Sequence, residues 1–168
     1  MTSDTAAEYL LTTVMGHLTE INAHPDLIAA GLTLSAEPNR DAEDISPWRR
    51  LKIGDRARCP DGLMICFVPV GDRLVRRTTG ALVDVELSVR VVCYMRGLKD
   101  PEKARRAKHA LASVLTTLLS GLDAVQTEEG TLYAARVTGR DYASGVTSRG
   151  EALHVVALDW QGDAYLQE

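Results

Sequence analysis

The stretch from residue 82 to residue 94 constrains the fold most, because apolar and polar side chains alternate along its length. One set of alternate positions is apolar: Val83, Val85, Leu87, Val89, Val91 and Cys93. The other set begins with polar residues: Asp84, Glu86, Ser88 and Arg90. Successive side chains of a strand point to opposite faces of its sheet. The pattern therefore predicts a long antiparallel strand with one face on a core and one polar face.

A helix and two further strands are predicted after this strand. Asp100 and Pro101 are a cap and a first helical residue for a helix over residues 101–122. Its apolar stripe includes Leu111, Leu115 and Leu118, and Gly121 is expected to end it in a left-handed conformation. Alternation returns at residues 132–140 and 152–160, which predicts two closing strands joined by a polar linker.

The first half of the chain predicts less regular structure. Apolar residues at helical spacing predict a helix over residues 5–23, capped by Ser3 or Asp4 and ended by Pro25. Gly16 within it is interpreted as a close contact between the helix and the sheet. Residues 25–62 are interpreted as a long irregular interaction arm, within which residues 27–31 form either a short helical turn or the start of a strand through Leu34. Residues 63–70 predict a strand, and residues 73–77 are predicted to pair back on it after a break at Gly71 and Asp72.

Together these elements predict one α+β domain over residues 1–168, with an insertion or arm at 25–62. The sheet is expected to be mainly antiparallel with about four strands. An N-terminal helix and one long helix are expected to pack on one of its faces.

Charge and composition exclude several classes of protein. The net charge of −4 at pH 7 argues against a dedicated nucleic-acid-binding protein, which usually carries a basic surplus. No apolar run is long enough to predict a membrane span, and the N-terminus lacks the pattern of a signal peptide. We therefore expect no membrane partner and an intracellular site of synthesis. Cys59, Cys66 and Cys93 lack CxxC spacing and are interpreted as free thiols.

No catalytic or metal-binding constellation accompanies the fold pattern. The four histidines are scattered, and His154 is predicted to be a hydrogen-bonded histidine within a strand. The acidic residues Asp41, Glu43 and Asp44 lack the spacing of a calcium loop. We therefore predict no enzyme activity, no cofactor and no metal site.

Two basic clusters are candidates for contact with another molecule. Arg73, Arg76 and Arg77 are predicted to bind the acidic residues Asp41, Glu43 and Asp44 of another copy. The second cluster extends from Arg96 to Lys108. It is either a solvated helix start or a contact with an acidic neighbouring subunit or with phosphate.

The order of these elements resembles the tail terminator and tail-completion proteins of long-tailed bacteriophages. The matching stretches are residues 5–23, 81–96 with 101–122, and 132–160, and they include VDVELSV at 83–89 and LHVVALDW at 153–160. The resemblance implies a self-associated ring, usually of six copies, at the head-proximal end of the tail. It implies a tail tube protein and a head–tail connector protein as partners, in the virion and, during assembly, in the host cytoplasm.

The resemblance also implies a role for the polar face of the long strand. Asp84, Glu86 and Arg90 are predicted to face a channel through which DNA passes without sequence-specific binding. A head-completion or connector adaptor is the alternative within the structural class. A small α+β ligand-binding protein or enzyme is the alternative outside it, with its pocket between helix and sheet. Leu111, Leu115, Leu118 and the valine face of the long strand are expected to fill that space.

Overall fold

A computed structural model describes residues 1–34, 52–53, 62–77, 82–122, 125–128 and 130–167. The predicted α+β class is confirmed. The helices of the described chain are α1 (Ser3–Gly16), α2 (Leu18–Asn22), α3 (Pro25–Ala29) and α4 (Pro101–Ser120). Among the described residues, no helix combines the length and the apolar character needed to cross a membrane.

The strands form one antiparallel sheet in the spatial order β1-β2-β3-β6-β5-β4. Four of them are long: β2 (Leu63–Arg77), β3 (Leu82–Arg96), β5 (Gly130–Val146) and β6 (Ala152–Gln167). The other two are short: β1 (Lys52–Ile53) and β4 (Val125–Thr127). The prediction of about four strands therefore agrees with the number of long strands.

The helices cover one face of the sheet, which we call the inner face. Helix α1 packs on β2 and β3, and α4 packs on β5 and β6. The alternating apolar residues of β3 from Val85 to Met95 are all buried on this face. They meet Leu111 and Leu115 of α4 in one continuous core. The core thus follows from the alternation in β3 and the apolar stripe of α4.

The N-terminal helix is shorter than predicted. It begins after Thr2, whose Oγ1 accepts a hydrogen bond from Thr5 N at 3.3 Å, so the cap is neither Ser3 nor Asp4. It ends at Gly16, and α2 follows as a separate helix. A Cβ atom at Gly16 would meet nothing within 4 Å, so the predicted close contact with the sheet is wrong. Gly16 marks the end of α1 instead.

Part of the predicted arm belongs to the core. Pro25 begins α3 rather than only ending the preceding helix, and Leu27, Leu32 and Leu34 are buried. The side chain of Asn22 holds this segment, because its amide donates to Leu34 O at 3.0 Å and its Oδ1 accepts from Leu34 N at 2.8 Å. Of the two alternatives predicted for residues 27–31, the short helical turn agrees with α3, and residues 25–34 pack on the core instead of forming part of an arm. Residues 35–51 and 54–61 lie outside the described residues.

The predicted break at Gly71 and Asp72 is wrong, because β2 continues through both residues. Both residues pair with β3, Gly71 with Ser88 and Asp72 with Leu87, and the strand has irregularities on either side of them, at Val70 and at Val75. Such bulges insert an extra residue without ending a strand. The carboxylate of Asp72 accepts a hydrogen bond from Ser3 N at 2.6 Å, which ties the start of α1 to β2.

The closing strands are longer than predicted, and the helix before them is slightly shorter. Most of the predicted linker is strand, since β5 extends to Val146 and only a short turn around Gly150, with φ of 76°, precedes β6. Helix α4 ends at Ser120. Gly121 has φ of −89°, so the predicted left-handed cap is wrong.

Candidate functional site

The face of the sheet opposite the helices, which we call the outer face, carries rows of charged side chains across the long strands. One row begins at Glu86 of β3, whose carboxylate lies 3.2 Å from Arg73 Nη2 of β2. The same carboxylate lies 3.7 Å from Arg136 of β5. Arg136 in turn donates to Asp163 of β6 at 2.6 Å. The row thus links four strands by alternating charge.

A second row is centred on Arg90 of β3. Its Nη1 donates to Asp159 Oδ1 of β6 at 2.9 Å, and its Nη2 donates to Asp141 Oδ2 of β5 at 2.9 Å. The register explains this contact, because Arg90 is opposite Asp159 and Asp159 is opposite Gly139, close to Asp141. Both ends of the guanidinium are therefore occupied by carboxylates of the same chain.

Three arginines of the basic cluster from Arg96 to Lys108 are also paired with carboxylates. Arg96 forms a two-pronged contact with Glu151, and these hydrogen bonds raise the pKa of the guanidinium. Arg105 and Arg106 both bind Glu102 at the exposed start of α4. Their hydrogen bonds lower the pKa of Glu102 to about 2. The interpretation as a solvated helix start therefore fits Arg105 and Arg106.

The three residues predicted to face a channel differ in accessibility. Arg90 and Glu86 lie on the outer face, and both take part in the charged rows. Asp84 lies on the same face but is only 6% exposed. Among the described side chains of this face, Arg73, Arg90, Arg96 and Arg136 are outnumbered by carboxylates: Asp84, Glu86, Asp141, Asp159 and Asp163. The outer face is thus charged around Glu86 and Arg90, with no excess of described positive charge, and apolar further along, where it carries Val92, Cys66 and Val155.

The residues predicted to join two copies are only partly described. Arg73 is exposed and contacts Glu86 of its own chain. Arg76 and Arg77 belong to the backbone of β2, opposite Asp84 and Val83. Asp41, Glu43 and Asp44 lie outside the described residues. The contact between these two groups stays a prediction.

One polar cluster was not foreseen from the sequence. Ser144 Oγ lies 2.8 Å from both Lys108 Nζ and His154 Nδ1, and His154 Nε2 lies 2.8 Å from Leu98 O. These distances fit a chain in which Lys108 donates to Ser144, Ser144 donates to His154, and His154 donates to the carbonyl. A serine beside a histidine base is a pair that nucleophilic catalysis uses. Here the lysine donates to the serine oxygen, so the cluster also ties α4 and β5 to the segment before α4.

The histidine itself agrees with the sequence prediction. His154 lies within β6 and is hydrogen-bonded through both ring nitrogens. No group of three or more His, Cys, Asp or Glu side chains in the described part of the chain is arranged to hold a metal ion. Cys66 and Cys93 are buried, and burial raises the pKa of the Cys93 thiol.

The space between helix and sheet is filled by hydrocarbon. Leu111 and Leu115 are fully buried there, as predicted. Leu118 is only partly buried, and it lines an open groove of about 660 Å³ between α2 and α4 instead. The groove walls combine apolar and polar side chains, including Ile21, Val114, Glu20 and His17. A concave site therefore exists between α2 and α4.

Comparison with known proteins assigns neither a family nor a function to the chain. No known protein-family model matches the chain, and no relative was found among curated proteins. The geometry of the outer face and of the sheet edges is therefore the basis for any functional conclusion.

Proposed function

We propose that the protein is a structural virion protein that forms an oligomeric ring at the end of a phage tail tube. As a tail terminator, the ring stops polymerisation of the tube and joins the tail to the head-side connector. In this proposal about six copies associate head to tail into a closed ring. A head-completion adaptor would use the same ring and differ in which end of the assembly it binds.

The carrying observation is the charge pairing on the outer face. Arg90 is held by Asp141 and Asp159, and Arg136 is held by Asp163 and approached by Glu86. The affinity of proteins for duplex DNA comes mainly from lysine and arginine contacts with phosphate. An arginine already bound to carboxylates must give up those contacts before it can bind a phosphate. A channel lined by this face would therefore let DNA pass without retaining it.

The helices on the inner face also favour a ring in which the outer face lines the channel. Helices α1 and α4 cover it, so it is not available to line a channel. The outer face is then the side of the sheet that can face the axis of a ring, with the helices on the outside. DNA-passing rings need a lining that is polar and weakly attractive, which matches the rows centred on Glu86 and Arg90.

The role of the outer face as a channel lining is tested by releasing Arg90 from both of its carboxylates. The variant is Asp141→Asn with Asp159→Asn. We expect the wild-type protein not to retain duplex DNA at about 150 mM salt, and the variant to retain it. The slope of log affinity against log salt should steepen by about 0.9 for each phosphate contacted. Gel mobility shifts with a linear plasmid measure this directly.

The same plasmid in closed circular form shows whether the arginines face the inside of a ring. Circular DNA cannot thread a closed ring, so the variant should retain linear DNA much better than circular DNA. The matched control is Glu102→Gln, which releases Arg105 and Arg106 on the exposed start of α4. The control variant should retain linear and circular DNA equally. Equal retention of both forms by the Asp141, Asp159 variant would contradict the channel role.

A further inference from the structure

Both outer edges of the sheet are open over long stretches. On β2, strand β1 pairs only with Ile65 and Cys66, and no described strand pairs with the outer side of the strand beyond them. On β5, strand β4 pairs only with residues 130–132. Further along β5, Val137 N donates to Ser120 Oγ, and among the described residues no strand covers residues 139–146. Open edges present unpaired N–H and C=O groups that can bind another strand.

The same two strands carry most of the exposed apolar surface. Of the seven large hydrophobic side chains that are exposed in the described chain, only Ile28 lies elsewhere, on α3. The other six are on β2 and β5: Val70, Leu74, Val75, Tyr133, Tyr142 and Val146. A concentration of this kind marks an interaction surface, because isolated exposed residues would be scattered over the molecule.

The two edges match each other in direction. Neighbouring strands in the order β2-β3-β6-β5 are antiparallel, so β5 runs opposite to β2. A second copy placed beside the first in the same orientation brings its β2 antiparallel to β5. The contact joins two different surfaces and can be repeated by every following copy.

The side chains on the two edges also match. Tyr142 is opposite the buried Val156, and Leu74 is opposite the buried Val85, so both project from the inner face. An apolar pair of this kind is favourable across strands.

We infer that the edge of β5 over residues 139–146 pairs with the β2 edge of a neighbouring copy, around Val70 to Val75. The inference rests on the proposed ring and specifies how its subunits join. Tyr142 then packs beside Leu74 of the next copy. Tyr142 is level with Ile65 of its own β2 rather than with Leu74, so neighbouring copies are offset along the strands. Closed sheets accommodate such an offset by tilting their strands.

The contact is tested by cross-linking between two preparations. One carries Leu74→Cys and the other Tyr142→Cys, both with Cys59→Ser, and they are mixed and treated with a short bismaleimide. Cys66 and Cys93 are buried and do not compete. We expect mixed 74–142 cross-links to dominate. A preparation with Ile28→Cys, also exposed but on α3, should give none with Tyr142→Cys.

A second pair of variants measures the contact without cross-linking. Tyr142→Glu should weaken self-association by about tenfold or more, the effect of losing one buried aromatic contact. Ile28→Glu should leave self-association unchanged.

The outcomes separate this contact from the ring itself. A closed oligomer without 74–142 cross-links would overturn the edge contact and leave the ring in place. Cross-links at 74–142 within open, growing chains would keep the edge contact and remove the closed ring. Dominant 142–142 cross-links would overturn the inference in favour of a two-fold dimer. A protein that stays monomeric and forms no cross-link would overturn both.

Discussion

Replacing Trp160 with alanine is expected to lower the free energy of unfolding by about 3–5 kcal/mol. Trp160 is the largest of the fully buried side chains, and it lies on the inner face of β6. Its Nε1 donates to Leu119 O at 3.0 Å, near the C-terminal end of α4. The substitution therefore removes both a large apolar volume and the hydrogen bond that fixes the end of the helix on the sheet.

Two further variants separate these contributions. Trp160→Phe keeps most of the ring but leaves Leu119 O without its donor, and it should cost about 1–3 kcal/mol. Ile28→Ala truncates an exposed side chain and should change stability by less than about 0.5 kcal/mol. Urea unfolding followed by circular dichroism gives all three values. A loss below about 1 kcal/mol for Trp160→Ala would contradict the role given to this side chain.

Gly162→Ala is the second substitution with a large expected effect. A Cβ atom at Gly162 would lie 2.3 Å from Trp160 Cη2 and 2.7 Å from Leu132 Cδ1. Both neighbouring side chains are buried, so neither can move into solvent. We expect a loss of about 1–3 kcal/mol from this overpacking.

The cause of this loss of stability can be checked by making the same substitution in the Trp160→Ala protein. In Trp160→Ala protein the closest contact is absent, so Gly162→Ala should cost clearly less there. The matched control is Gly16→Ala, where a Cβ would meet nothing within 4 Å. It should be neutral or stabilise the protein by up to about 1 kcal/mol. An equal cost of Gly162→Ala in both backgrounds would contradict the proposed clash with Trp160.

The alternation in β3 and the stripe of α4 were sufficient to predict the core and the class of fold. Both patterns are visible in the sequence because one face of each element is buried and its positions are therefore apolar. The continuity of β2 was missed because Gly71 and Asp72 are typical of turns, whereas here both pair with β3 directly after a bulge at Val70. The end of β5 was missed because residues 141–146 are exposed at a sheet edge, where a strand needs no apolar side chain. The end of β6 was missed because its inner positions there are Gly162 and Ala164, which give a weak apolar signal.

The candidate site was predictable only in part. The polar positions of β3 indicated a charged face, but its partners come from three other strands. That Arg90 binds Asp159 and Asp141 depends on the strand register, which a single sequence does not reveal. The contact of Ser144 with both Lys108 and His154 has the same origin, since three separate elements supply it.

The proposed ring is tested by the mass of the purified protein in solution, measured by light scattering over a concentration series. We expect one closed species near six chains, with a mass that stops increasing once the ring is complete. A single chain at every concentration would contradict it. So would a mass that increases without limit, because an open polymer cannot terminate a tube.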